Sequence, residues 1–407
     1  MESRINLLLL LFLMPFVTTA QWTTDTLPDG RAEIASVTID DNIYFVGGAT
    51  SGIQRYFKMN IYNVPTDTWT TVDIPNGTIG PRTIAVGKKI YFGEIEGDRK
   101  IYSYNTEDGT WDDISVPGFI GTLVHMDSLL IVEDAGDLML YDLGTETWTE
   151  FDFPSQDATV AATNGKIVLG GQNIVRIYDV ASDTWTDTTL SQRRFSIRSV
   201  SYQDKIYFVG GDTTGTVEST SRIDIYDTAS NTWSIDSMSR DRSRFDVTVH
   251  NGKLIIAGGQ IFSFFGQFRK EVDVLDLHTN TWQTYTMPTG RRYPVIAGHN
   301  DKIYIAGGDN EEDNLDIIEI LDLGSTGTHD VALSQFHIYP NPATDLLNLT
   351  SEYDVNDIEI FDALGRSVLF ADNLSGQEQK LDISSFIEGI YYICVNKNPG
   401  QLLFLKQ

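Results

Sequence analysis

The sequence has a single cysteine, Cys394, among its 407 residues. A disulfide within the chain is therefore excluded, and the fold must be held by its hydrophobic core. Long apolar runs are also scarce. Beyond the N-terminus no stretch approaches the roughly 20 consecutive apolar residues that a membrane-spanning helix needs. We therefore expect no transmembrane segment in the mature chain.

Basic residues are few, with 29 Lys and Arg against 57 Asp and Glu, which gives a formal net charge of −28. Such a charge repels phosphate backbones and argues against nucleic acid as a partner. The six histidines are spread along the sequence and do not form a metal-ligand pattern. We therefore predict neither a metal site nor a cofactor.

The N-terminus carries an apolar run at 5–17, preceded by Arg4 and followed by the small residues Thr18 and Ala20. This order is typical of a signal peptide, so we predict that residues 1–20 are removed by cleavage after Ala20. An uncleaved N-terminal membrane anchor is the alternative.

All seven tryptophans belong to one repeated pattern. They are Trp22, Trp69, Trp111, Trp148, Trp185, Trp233 and Trp282, with gaps of 47, 42, 37, 37, 48 and 49 residues. A tyrosine stands seven positions before five of them, and an upstream apolar stretch often ends in a glycine pair, as at Gly210-Gly211. Hairpin turns such as Asn251-Gly252 divide each unit into four short strands. One such unit cannot bury both faces of its sheet, whereas units stacked around an axis can.

The ordered glycine pair, tyrosine strand and Thr-Trp resemble the kelch repeat over 21–323. The resemblance implies an all-β fold, a kelch-like β-propeller. Seven three-strand units can be counted; the seventh lacks a Trp strand, and Trp22 begins a strand without a unit. We therefore predict seven blades, the last of them closed by the N-terminal strand. A six-bladed ring is the alternative if one degenerate unit forms no blade.

After a linker at 324–329 the repeats stop, and residues 330–407 predict a small C-terminal β-sandwich. This segment resembles the C-terminal sorting domain of the type IX secretion system of Bacteroidetes. The motif residues that carry the resemblance are Tyr339, Pro340, Asn341, Pro342, Gly365, Gly389, Tyr391 and Lys406. The resemblance implies recognition by the secretion machinery, cleavage of the domain, and then surface attachment or release. A generic carbohydrate- or matrix-binding sandwich is the alternative.

Loop length points to a binding face. The connections between second and third strands are long only in units five, six, seven and one, which are contiguous in a ring. Aromatic and cationic residues on such loops are typical of recognition surfaces. The candidate residues are Arg55, Tyr56, Lys58, Phe262, Phe265 and Arg269 on the loops, and Arg194, Arg244 and Arg292 on the inter-blade links. Alternatively, the aromatics pack locally and the arginines brace neighbouring blades.

Two function classes remain open. The first is an exported, non-catalytic binding module that recognises a protein or glycan. The second is an enzyme acting on a sugar in the central channel, which converging Asp, Glu, Arg and Tyr side chains would favour. Kelch-like rings also include copper oxidases that need a tyrosine cross-linked to a cysteine. Because Cys394 lies outside the propeller, that chemistry is excluded.

Overall fold

The structure is a computed structural model. It describes residues 22–50, 54–94, 97–134, 137–152, 158–213, 218–261, 267–310, 313–324, 336–351, 355, 357–362, 367–372, 374–395 and 401–406. The predicted signal peptide, with Ala20, lies outside these residues, as does Gly365. Over the described ranges the secondary structure is entirely β, and no helix suited to crossing a membrane is found. Trp22–Gly324 forms one compact unit, and Ser325–Gln407 belongs to another.

In its described residues the Trp22–Gly324 unit contains thirty-two strands. The first ten are β1 (Trp22–Thr26), β2 (Ala35–Ile39), β3 (Asn42–Val46), β4 (Ala49–Thr50), β5 (Gln54–Asn63), β6 (Thr68–Thr78), β7 (Arg82–Val86), β8 (Lys89–Gly93), β9 (Lys100–Asn105) and β10 (Trp111–Ser115). The next nine are β11 (Thr122–Met126), β12 (Leu129–Asp134), β13 (Asp137–Asp142), β14 (Thr147–Asp152), β15 (Ala158–Thr163), β16 (Lys166–Asp179), β17 (Thr184–Arg194), β18 (Arg198–Tyr202) and β19 (Lys205–Val209). The remainder are β20 (Asp212–Thr213), β21 (Glu218–Ser219), β22 (Arg222–Asp227), β23 (Thr232–Ser237), β24 (Asp246–His250), β25 (Lys253–Ala257), β26 (Gln260–Ile261), β27 (Gln267–Phe268), β28 (Glu271–Asp276), β29 (Thr281–Thr286), β30 (Val295–His299), β31 (Lys302–Ala306) and β32 (Ile317–Asp322).

These strands form seven main antiparallel sheets, which we call blades 1 to 7. They are β2-β3-β5-β6, β7-β8-β9-β10, β11-β12-β13-β14, β15-β16-β17, β18-β19-β22-β23, β24-β25-β28-β29 and β30-β31-β32-β1. Blade 4 has three strands because the long β16 pairs with β15 through its first half and with β17 through its second. The all-β propeller predicted from the repeats is confirmed.

The first strand of each blade contacts the first strands of both neighbouring blades. The contacts run from β2 through β7, β11, β15, β18, β24 and β30, and then return from β30 to β2. These seven inner strands therefore surround a common axis. The N-terminal β1 pairs with β32 from Trp22↔Leu321 to Thr26↔Ile317, so it is the outer strand of blade 7.

The repeated tyrosine and tryptophan are cross-strand neighbours in the outer half of blades 1 to 5. Tyr62 pairs with Trp69 and Tyr226 with Trp233, with ring centroids 4.9 Å apart in both cases. Directly opposed aromatic side chains stabilise an antiparallel pair beyond their burial. The seven-residue spacing is thus the length of the hairpin that brings the two rings together.

The glycine pairs lie where the second strand ends and the chain turns past the incoming inter-blade link. Gly210 and Gly211 have φ values of 54° and 101°, and a Cβ on Gly211 would lie 2.4 Å from the carbonyl oxygen of Phe195. Only glycine fits both this backbone conformation and this close approach. The chain then continues into a short two-stranded ribbon, β20-β21, and similar ribbons follow in blades 1 (β4-β5) and 6 (β26-β27).

Three blades contain a fully buried arginine paired with a buried carboxylate. Arg194 pairs with Asp224 in blade 5; Arg242 with Asp273 at 2.5 Å in blade 6; and Arg291 with Glu319 at 2.9 Å in blade 7. Each arginine precedes the inner strand and also donates to backbone carbonyls of its own blade, as Arg194 does to Gly210 and Arg222 at 2.8 Å.

Blade 1 departs from this arrangement. Asn60, opposite Phe45, occupies the register position of the carboxylate, and the guanidinium nitrogens of the buried Arg31 have no acceptor within the described residues. Arg31 instead lies over the Tyr56 ring, 4.2 Å from its centroid. Burial lowers the pKa of Arg31 to about 10, against the opposing effects of Tyr56 and Asp29.

The second unit is a small sandwich of two sheets, as predicted. Its strands are β33 (Phe336–Tyr339), β34 (Leu346–Ser351), β35 (Ile358–Asp362), β36 (Ser367–Ala371), β37 (Glu378–Asp382), β38 (Gly389–Val395) and β39 (Gln401–Lys406). They form the sheets β33-β34-β37 and β36-β35-β38-β39. Leu347, Leu349, Ile360, Ile393 and Phe404 are among the buried residues of its separate core.

Candidate ligand-binding site

The long second connections lie where the sequence predicted them, but their residues are less exposed than expected. Tyr56 is buried, and its hydroxyl donates to Asp29. Arg55 pairs with Glu94 of blade 2 and donates to the Gly77 carbonyl at 3.0 Å. The exposed recognition pair predicted here is therefore wrong: Tyr56 is a packing residue and Arg55 links two blades.

The three link arginines also differ from one another. Arg194 is fully buried in its ion pair with Asp224, so its predicted place on a binding face is wrong. Arg292 donates to Asp309 at 2.7 Å and to Gln260 at 3.3 Å, which joins the second connections of blades 6 and 7. Arg292 supports the alternative that the arginines brace neighbouring blades, whereas the Arg194 guanidinium bonds, among the described residues, only to groups of blade 5.

The remaining loop candidates are not brought together. Lys58 is exposed and lies opposite Asp73 in the blade 1 hairpin. Arg269 is half-buried and donates to the Asp241 carbonyl at 3.3 Å. Phe262 and Phe265 lie outside the described residues.

A different site lies at the axis. Two cavities, of about 460 and 560 Å³, open where the inner strands begin, on the face that carries the inter-blade links. Between them they contact all seven inner strands, and Arg82, Arg198 and Tyr293 line both. We call this region the channel mouth.

The register explains which side chains meet there. Each inner strand places one residue opposite the end of the second strand, as in Arg82↔Gly93, Arg198↔Val209 and Asp246↔Ala257. Because the blades repeat around the axis, the equivalent positions form one level of the channel. Two arginines and one aspartate therefore converge although they are far apart in sequence.

Arg198 is the least satisfied of these groups. Within the described residues its guanidinium has no hydrogen bond or ion pair, whereas Arg82 donates to the Gly121 carbonyl at 2.7 Å. Burial, followed by the neighbouring charge of Arg198, lowers the pKa of Arg82 to about 10. Two guanidinium groups thus repel each other at the mouth, and an anion placed between them would relieve that repulsion.

Asp246 is the acidic group at the same level. Its carboxylate accepts a hydrogen bond from the Ile296 backbone N–H at 2.8 Å. Burial raises the pKa of Asp246, although Arg198 and the backbone hydrogen bonds oppose that effect. This carboxyl therefore takes up a proton at a higher pH than an exposed aspartate does.

Of the predicted link arginines, Arg244 does reach the mouth. It lines the larger cavity, and its guanidinium carbon lies 5.7 Å from the centroid of the Tyr293 ring. The backbone N–H of Tyr293 donates to the Arg244 carbonyl at 2.8 Å, which joins the links of blades 6 and 7.

Arg82, Arg198, Asp246 and Tyr293 were missed from the sequence. A signal existed, since Arg82 and Arg198 stand at the same place in their repeats, at the start of the inner strand. Among the described residues no cluster of three or more His, Cys, Asp or Glu could hold a metal ion.

The start of the C-terminal domain motif is hydrogen-bonded to the last strand, β39. The Asn341 side chain accepts from the Leu405 N–H at 3.0 Å, and the Ala343 N–H donates to the Leu405 carbonyl at 2.8 Å. Tyr391 is buried in the core of the sandwich, and Lys406 is buried at the end of β39. Tyr339 is half exposed.

Comparisons with known proteins agree with both resemblances. The model of the KLHDC2/KLHL20/DRC7 Kelch-repeats domain matches residues 196–346, and that of the secretion system C-terminal sorting domain matches residues 337–403. A solved structure titled "Structure of YjhT" is similar at 14% identity and a TM-score of 0.46, over 74% of this chain and 97% of that one. No curated protein matches the chain. The chain is therefore a kelch-repeat propeller followed by a secretion-system C-terminal sorting domain.

Proposed function

We propose that this exported protein is a binding module that takes an anionic group of its ligand into the channel mouth. The observation that carries the proposal is Arg198, which has no hydrogen-bond acceptor among the described residues and lines both cavities. A guanidinium presents planar donors that match a carboxylate bidentately. The overall charge of −28 makes such a local cationic site selective rather than generally attractive to anions.

Two of the carboxylates at the mouth are already hydrogen-bonded, whereas Glu33 lines the smaller cavity without a side-chain hydrogen bond among the described residues. Asp246 accepts from Ile296, and Glu133 accepts from the Thr122 hydroxyl at 3.3 Å. Their negative charge is therefore partly compensated by the protein itself. Arg198 is the group whose hydrogen bonds a ligand completes.

We predict that Arg198→Ala lowers affinity for the anionic ligand by about 1.5–3 kcal/mol, the value of hydrogen bonds to a charged group. Thermal stability should change little, because the Arg198 side chain makes no hydrogen bond to any residue that the structure describes. Calorimetric titration with sugar acids and with neutral sugars of the same ring would measure the loss.

Arg240→Ala is the matched control. The Arg240 side chain is 66% exposed, and its ion pair with Glu271 is long, at 3.9 Å. Equal binding by the wild type and by Arg198→Ala would place the ligand elsewhere.

A sugar-acting enzyme is the second candidate, favoured by Asp246. A carboxyl with a raised pKa beside an arginine is a suitable general acid. In the same titrations, chemical change of a bound sugar that stops in Asp246→Asn, while binding persists, would establish an enzyme. Binding without any change would leave the module as proposed.

The sorting domain indicates export to the cell surface or beyond. We propose further that this domain is removed during export. Deleting residues 330–407 is expected to leave a folded propeller that stays inside the cell envelope of the native host, because each unit has its own core. Fractionation and a thermal melt would measure both. Normal amounts of the truncated protein outside the cell would contradict the sorting role.

A further inference from the structure

The larger cavity extends away from the axis, over blades 3 and 4. Its walls there are the hydroxyl and carboxyl residues Thr122, Glu133, Asp134, Thr159 and Ser199. The Thr159 and Ser199 hydroxyls lie 2.7 Å apart and join β15 to β18. Beyond Arg198 the channel mouth therefore continues as a polar surface of hydroxyl and carboxyl groups, which we call the floor.

Blade 3 departs from the repeat beside this cavity. Where blades 1, 5 and 6 have a glycine pair leading into a ribbon, it has Glu133-Asp134, and only two residues separate β12 from β13. The Glu133 carbonyl accepts from the Gly121 N–H at 2.7 Å. The Asp134 carboxylate accepts from the Phe119 N–H at 2.8 Å. The departure from the repeat thus holds the link between blades 2 and 3 at the edge of the cavity.

An exposed aromatic side chain lies on this link. Phe119 is 38% exposed, and the guanidinium carbon of Arg99 lies 4.4 Å from its ring centroid. Asp134, bonded to the Phe119 backbone, is itself part of the cavity wall. An exposed aromatic beside a polar floor offers a flat apolar surface to a ring that carries polar substituents on its rim.

Resting on the proposed function, we propose that the ligand is an acidic oligosaccharide that runs outward from the mouth over blade 3. Its acidic terminal sugar binds Arg198, and the following sugars donate and accept hydrogen bonds at Thr122, Asp134, Thr159 and Ser199. A sugar at the edge packs its C–H face on Phe119. A peptide is less well matched, because extended peptides pair with free strand edges, whereas the inner strands flank one another around the axis.

The test is an array of uronic- and sialic-acid oligosaccharides of one to six residues, with neutral oligosaccharides of equal length and with acidic peptides. The wild type is expected to bind acidic oligosaccharides and to gain at least about tenfold in affinity between one and several sugars. Phe119→Ala should remove most of that gain and leave monosaccharide binding unchanged. Arg198→Ala should weaken both. Phe57→Ala is the matched control, since Phe57 is a 54% exposed aromatic that packs on Gly77 of blade 1.

The outcomes separate the two proposals. Suppose that Arg198→Ala weakens monosaccharide binding, but that sugar number and Phe119→Ala have no effect. The proposed anion site is then supported, and the proposed oligosaccharide ligand is wrong. Preference for acidic peptides, or no binding of any acidic oligosaccharide, also overturns it. If Arg198→Ala leaves binding unchanged while Phe119→Ala reduces it, the anion site is wrong.

Discussion

Removing residues 21–28 is expected to abolish cooperative folding of the propeller. The deletion takes away β1, so β32 loses its only partner on that side and becomes an exposed edge. It also removes Leu27, which is 1% exposed and whose N–H donates to the Asp316 carbonyl at 2.6 Å. Losing a buried leucine alone costs about 2–5 kcal/mol, and the strand pairing is lost as well.

Circular dichroism during heating would show the result as a broad transition at a much lower temperature. Thr24→Ala is the control, because Thr24 is exposed in the middle of the same strand. If the deleted chain melts in one sharp transition at the temperature of the wild type, β1 does not close the ring.

Asp273→Ala is expected to destabilise the propeller by about 3–5 kcal/mol, because it leaves the buried Arg242 charge unpaired. Both side chains are fully buried, and Asp273 also accepts from the Thr284 hydroxyl at 2.7 Å and from Ser239 at 3.0 Å. The removal therefore orphans an ion and two donors at once.

The surface pair of Lys100 and Asp113, 2.9 Å apart, supplies the control. Asp113→Ala should lower the free energy of unfolding by only about 0–1 kcal/mol, since both side chains of this pair are hydrated. Urea unfolding would measure the two variants side by side. A difference of less than about 1 kcal/mol between them would contradict the role assigned to the buried pair.

The propeller could be predicted because the repeated residues act within a single hairpin or turn. The tyrosine-tryptophan spacing fixes a hairpin, the glycine pair fixes a turn, and the unpaired Trp22 strand matches the missing strand of the last unit. Each of these follows from strand geometry within one blade or from counting. The two-domain division followed from the point at which the pattern stops.

Of the buried arginines, only Arg194 was singled out from the sequence, and it was assigned to a binding face, although the sequence repeats all four. Arg31, Arg194, Arg242 and Arg291 each stand nine residues after a tryptophan. In blades 5, 6 and 7 an acid stands two residues before the tyrosine position, where Arg176 stands in blade 4. That paired recurrence indicates an ion pair inside the blade, which exposure arguments based on single arginines overlook.

The channel mouth could not be read from the sequence, because its residues come from different blades. Arg198 and Asp246 are neighbours only once the inner strands are in register around the axis. The same holds for Phe119, which lies on a link of the short-looped half of the ring. Glu133-Asp134 was visible as a departure from the repeat, and the structure shows that it holds this link by two hydrogen bonds.

Because β1 pairs with β32, the ring can close only after the last strand of the propeller has been synthesised. β1 is synthesised before the other strands of the propeller, and its partner β32 is synthesised after them. Contacts between distant parts of a chain form slowly, and the open form exposes unpaired strands to chaperones and proteases in the meantime. A chain that ends before β32 cannot form this pair.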